Sequence, residues 1–215
     1  KAKGLTHAQG LIQNILMPTP SAVLQAMTLL ADGTATEPGI GPLVAVDVGG
    51  ATTDVYSIAT GEPATANTVY KGLPEPYAKR TVEGDIGMRA GLFGVMEAAG
   101  SGRVAQVSGL DEGTVTWMAD RFSANPGLLP VTPAEVAFDE AIASLALETA
   151  VGRHAGTMEE TYTPMGPLYV QTGKDLRPVK QLILTGGPLI RAAHPTRIAR
   201  YAKWTPTCPL SLKPL

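Results

Sequence analysis

Two short apolar runs stand out along the chain, and each ends on paired glycines. Leu43–Val48 (LVAVDV) is rich in β-branched residues and reads as a buried strand. Residues 180–185 (KQLILT) read the same way and land on Gly186-Gly187. After the first run come Gly49-Gly50-Ala51-Thr52-Thr53, and a second strand is expected at 54–59, so the pair predicts a β-hairpin with a glycine-rich turn.

Helical spacing accounts for much of the remainder. Residues 4–16 predict a helix broken by Pro18 and Pro20. Thr19 as N-cap and Pro20 at the first helical position then predict a second helix, running to about Ala31 and stopping at Asp32-Gly33. Residues 61–77 read as irregular connections with one strand near Thr68–Lys71, and 74–84, with Lys79, Arg80 and Glu83, as a charged loop. A helix is expected over 85–99, weakened by three glycines. A short strand is expected at 103–107, and a helix at 112–122 with Trp117 and Met118 on its core side. The clearest start signal is Thr132-Pro133-Ala134-Glu135, a capping box opening a helix to about Arg153. Arg153 and His154 then suit its C-terminal dipole. A short helix is expected at 188–193. Strands and helices alternate, which gives the α/β class.

Composition narrows the function classes. The chain has 215 residues, 44% of them hydrophobic and 17% charged, which suits a large buried core and not disorder. A net charge of −2 supplies no basic footprint for nucleic acid. No apolar run approaches the ~20 residues of a spanning helix, so no membrane role is expected. The single cysteine excludes an internal disulfide, and a cytoplasmic location is the plain expectation. His7, His154, His194 and Cys208 show no zinc-ligand spacing. The chain opens Lys-Ala-Lys-Gly without methionine and runs straight into helix-like sequence, which reads as a fragment of a longer protein.

The chemistry concentrates at the two glycine pairs. Small residues at Gly49, Gly50 and Ala51 let a ligand approach the backbone closely and leave amides free for phosphate. The hydroxyls of Thr52 and Thr53 can add hydrogen bonds, and Asp54 opens the return strand and orients the turn. Asp47, at the end of a buried strand, is costly there without a partner. Magnesium carried by a nucleotide would supply one, usually through water. Asp47 is therefore the candidate catalytic and metal-binding residue. Gly186 and Gly187 offer a flat backbone surface at a strand's C-terminal end, where adenine can lie. A plain Gly-Gly hairpin with a structural aspartate is the competing reading of the first motif.

Together, in this order, the motifs resemble the actin/Hsp70/sugar-kinase ATPase superfamily. Its hairpin pattern Asp-x-Gly-Gly-x-Thr-x-Asp is met at Asp47, Gly49, Gly50, Thr52 and Asp54. The resemblance implies an actin-like (ribonuclease H-like) second lobe, with core at 1–60 and 154–215 and an inserted α/β subdomain at 61–153. It also implies ATP and Mg2+ as cofactors, and Arg191 lies where it could approach the nucleotide. No counterpart of the family's first phosphate loop is present, in keeping with a fragment whose isolated ATPase activity would be poor. Residues 10–22 (GLIQNILMPTPSA), 44–57 (VAVDVGGATTDVYS), 74–87 (PEPYAKRTVEGDIG) and 183–190 (ILTGGPLI) further resemble the MutL/GlmL accessory proteins of glutamate mutase. Nothing resembles the DNA-repair ATPase of the same name.

That resemblance implies an ATP-dependent reactivating chaperone, partnered with adenosylcobalamin-dependent mutase subunits and exchanging damaged for intact cobalamin. In it, residues 74–84 would line the cleft or touch the mutase. A small-molecule kinase, a hydantoinase-like enzyme and a nucleotide-regulated scaffold are the rival expectations.

Overall fold

The computed structural model describes residues 17–215, so the helix expected at 4–16 lies outside the described residues. The architecture is mixed α/β with two mixed sheets. The larger sheet has the order β4-β2-β1-β7, built from β1 (Leu43–Val48), β2 (Thr53–Ile58), β4 (Ala78–Glu83) and β7 (Gln181–Thr185). β1 and β2 form the expected antiparallel hairpin, β4 pairs antiparallel to β2, and β7 pairs parallel to β1. The smaller sheet, β3-β6-β5, joins β3 (Thr68–Lys71) to the hairpin of β5 (Thr157–Thr163) and β6 (Gly166–Thr172).

Both faces of the larger sheet are covered, which is why β1 reads as a continuous apolar run and not as an alternation. Leu43 and Ala45, with Tyr56 and Ile58, pack against Val23, Leu24, Met27 and Ala31 of α1 (Thr19–Asp32). Val44, Val46, Val48 and Val55 belong to the main core with α5 (Pro133–His154). α5 is packed between the sheet and the helices α2 (Leu92–Ala99), α3 (Ser101–Ser108) and α4 (Glu112–Ala124). Its middle, Ala141–Leu147, is therefore buried on every side, and its alanines allow the close approach. Phe122 and Phe138 stack with centroids 5.9 Å apart where α4 meets α5. No described helix is long and apolar enough to cross a membrane.

The capping box is present as expected: Thr132 accepts from the Glu135 amide, and Glu135 accepts from the Thr132 amide. Arg121 of α4 closes on the same carboxylate. It holds Glu135 down at about 2, with the Thr132 and Val131 amides adding to the effect.

Five local expectations change. The helix expected over 85–99 begins only at Leu92, and residues 85–91 form a loop. Pro18, not Thr19, caps α1, and Thr19 is already helical without a side-chain cap. The expected strand at 103–107 is the helix α3, bounded by Gly100 and Gly109, both at positive φ. Residues 78–83 are strand β4 and not a loop. Trp117 is 56% exposed and stands outside the core, whereas Met118 is buried. The sheets also run across the expected divisions at 60 and 154. β4 and α5 belong to the main layer, and β3 joins strands that follow residue 154.

Candidate functional site

The turn between β1 and β2 is held from one side by its carbonyls. Gly49 O accepts from the Met88 amide at 3.0 Å, and Gly50 O accepts from the Arg89 amide at 2.7 Å and the Gly91 amide at 3.3 Å. Thr52 O accepts from the Gly49 amide at 2.8 Å. The buttress is the loop at 85–91. A Cβ on Gly87 would lie 2.5 Å from Ala51 C, and one on Gly91 2.3 Å from Ala51 O, so the loop reaches the turn only as bare backbone.

What remains uncommitted is the amide side. Among the described residues, the N–H groups of Gly50, Ala51 and Thr52 have no protein acceptor, and Gly50 and Ala51 are exposed. A Cβ added to Gly50 would meet nothing within 4 Å. The protein's own packing gives no reason for glycine there, whereas a ligand seated on three adjacent amides would.

Thr53 differs from its expected role. Its hydroxyl is fully buried and donates to Ile86 O at 2.9 Å, fastening the buttress loop to β2. Thr52 keeps a half-exposed position. Asp54 is engaged by Arg80 of β4, whose Nε lies 2.8 Å and Nη2 2.5 Å from Asp54 Oδ1. Asp54 thus ties β2 to β4 as well as opening the return strand.

Asp47 stands directly opposite Asp54 across the hairpin and beside Thr185 of β7. Burial and then the Asp54 charge hold its carboxyl above the usual range. No hydrogen bond to its carboxylate is found among the described residues. The second glycine pair meets it here: a Cβ on Gly186 would lie 2.7 Å from Asp47 Oδ1 and 2.3 Å from Val48 O. Gly186 has φ 94 and caps α6 (Gly187–Ile190), and Gly187 has nothing within 4 Å of an added Cβ. The structure therefore brings Asp47, the turn amides and the Gly186-Gly187 pair to one end of the sheet, the carboxyl end of β1 and β7. A half-buried carboxylate lacking a protein partner, facing another carboxylate, fits a hard divalent cation with an oxygen shell. Arg191 is exposed at the end of α6.

A second polar cluster lies inside the fold. His154 is fully buried, with Nε2 2.8 Å from Ser57 Oγ and Nδ1 2.7 Å from Thr81 Oγ1. Lys174, also buried, donates to Ser57 Oγ at 3.3 Å and to Tyr77 O at 2.7 Å. Burial first, then the positive charges of Lys79 and Lys174, push His154 down to about 3. It is neutral and does not serve the helix dipole as the sequence suggested, and Arg153 pairs instead with Glu83.

Sequence reasoning placed residues 85–91 in a helix and Arg80 in a charged loop, and so missed the buttress loop and the pairing of Arg80 with Asp54. The signal for the loop was present, since two glycines, Gly84 and Gly87, bracket Asp85-Ile86 and weaken a helix there.

Comparison with known proteins agrees with the motifs. A family model described as MutL protein matches residues 1–215. A curated relative, Protein MutL of Clostridium tetanomorphum, is 44% identical over 214 residues, covering 100% of this chain and 46% of that protein. The chain thus spans just under half the length of that relative. With its whole length matched and its hairpin intact, the chain belongs to the MutL protein family.

Proposed function

We propose that this chain forms the phosphate- and adenosine-binding part of an actin-like ATP cleft, within an accessory protein that reactivates an adenosylcobalamin-dependent mutase of the glutamate mutase type. The observation that carries the reading is the row of uncommitted amides at Gly50, Ala51 and Thr52, set beside Asp47 and the Gly186-Gly187 backbone. In this reading the amides and the Thr52 hydroxyl hold phosphate oxygens. Asp47 orients the water shell of Mg2+, and Gly186 and Gly187 offer a face to the adenosine. Bound magnesium supplies charge neutralisation at the phosphates. The protein forms no covalent intermediate, and nucleotide turnover moves the cleft between states with different nucleotide contacts.

The test is release of cyanocobalamin from an inactivated adenosylcobalamin mutase by the full-length protein, with and without Mg-ATP, in wild type and Asp47→Ala. ATP-dependent release that disappears in the variant supports the reading. ATP binding without release would turn the proposal toward a kinase or scaffold on the same fold. Phosphorylation of a small metabolite would separate those two.

A further inference from the structure

The carboxylates of Asp47 and Asp54 are placed directly opposite one another on neighbouring strands, an arrangement that repels unless a cation sits with it. The cation in this structure is Arg80. Its Nε and Nη2 both converge on a single oxygen, Asp54 Oδ1, at 2.8 and 2.5 Å. Among the described residues, Asp47 and the second oxygen of Asp54 have no basic partner. Lys79, the adjacent cation on β4, faces the other way and is held by Glu75 at 2.9 Å and by His154 O at 3.2 Å. One positive charge therefore stands against two negative ones. The Arg80 side chain is 31% exposed on β4, which ends the sheet order, so it can move without opening the core.

We propose that Arg80 is a resident counter-ion that makes the acidic pair discriminate between free divalent metal and metal carried by a nucleotide. The inference rests on the nucleotide reading of the site. Bare metal is attracted by the uncompensated charge of the pair, and Arg80 weakens that attraction. The magnesium–nucleotide complex is itself a net anion and is repelled by the pair, and Arg80 weakens that repulsion. The two affinities should therefore respond to Arg80 in opposite directions. Arg80 acts as a positioning residue, through Asp54 and Asp47, and takes no part in a bond-making step.

The experiment measures Mn2+ alone, by the loss of its free-ion electron paramagnetic resonance signal, and Mg-ATP, by calorimetry, on the full-length protein carrying this chain. Arg80→Met should bind Mn2+ about tenfold tighter and Mg-ATP about tenfold more weakly, the scale of one charge acting a few ångströms away in a partly solvated site. Arg80→Lys keeps the charge and should stay near wild type in both. Arg80→Gln replaces the Met variant if a thermal melt shows that variant unfolded.

Unchanged Mn2+ affinity, or both affinities weakened together, overturns the inference. If Asp47→Ala still weakens Mg-ATP in that case, the nucleotide reading stands alone. If wild type binds no ATP and Asp47→Ala changes nothing, the nucleotide reading fails and the inference falls with it.

Discussion

Arg89 and Asp139 meet in a two-pronged ion pair, Nη1 to Oδ1 at 2.8 Å and Nη2 to Oδ2 at 3.2 Å, that ties the buttress loop to α5. The guanidinium also lies 4.7 Å from the Phe122 ring centroid and donates to Leu128 O. Both side chains are largely buried, so neither is easily rehydrated if the other is lost.

Asp139→Ala should therefore cost about 3–5 kcal/mol, because it leaves an uncompensated charge. The double replacement Arg89→Met with Asp139→Leu should cost much less, since no charge is stranded. Urea denaturation checks this, with the midpoint falling steeply only in the single variant and the slope unchanged. Equal losses would mean that packing by Arg89, and not charge, anchors the loop.

The two sides of the β1–β2 turn should separate stability from binding. Gly50→Ala meets no protein atom within 4 Å and should change stability by less than about 0.5 kcal/mol. If phosphate lies on the amides, the same methyl group should weaken ATP by about tenfold or more. Gly87→Ala places Cβ 2.5 Å from Ala51 backbone and should damage both. Thermal melts alongside nucleotide titration distinguish the cases. A Gly50→Ala protein with wild-type affinity would remove phosphate from the turn.

The buried cluster around Ser57 predicts two pH limbs. His154 falls from its ordinary 6.5 to about 3 in the fold, so between these values the unfolded chain binds the extra proton. Stability is thus lost as pH falls through this window, by up to about 1.4 kcal/mol per pH unit from this group. Lys174 is lowered to about 8, by burial first and then by Lys79, with Glu75 opposing. Its contribution makes stability rise between about 8 and its ordinary value of 10.5. Denaturant curves of wild type against His154→Gln at pH 7, 5.5 and 4 should show the gap narrowing as pH falls. Lys174→Gln should lack the alkaline rise. A gap independent of pH would mean that His154 titrates normally.

The parts of the fold that read clearly in the sequence carry strong local chemistry. Leu43–Val48 is buried on two sides and so appears as an apolar run, Gln181–Thr185 is apolar at its centre although it is only partly buried at the sheet edge, and Thr132 through Glu135 satisfies its own helix end. β4 was hidden because Ala78–Glu83 packs only partly, and its length is filled by Lys79, Arg80 and Glu83. β5 was hidden for a related reason: five of its last residues, Glu159–Thr163, are exposed, so no apolar alternation marks it. At the candidate site, Asp47, Gly50 and Gly186 lie at one end of the larger sheet. The burial of Thr53 was not legible, because a threonine after a glycine turn looks the same whether its hydroxyl meets a ligand or the Ile86 carbonyl. Nor was the partnership of Ser57 with His154, which depends on a contact between residues far apart in the chain.

The parallel pairing of β1 with β7 has a consequence for biosynthesis. β1 and β2 can close as a hairpin as soon as residues 43–58 have left the ribosome, but the partner on the other side of β1 is residues 181–185. Until that segment is made, β1 shows an unpaired edge, a template for incorrect pairing. Closing this distant contact belongs to the slow class of folding events. The glycine pair facing Asp47 arrives with β7, so the proposed site is completed only once that strand has docked, and a nucleotide bound there would act as a folding ligand, drawing the nascent sheet to completion by mass action.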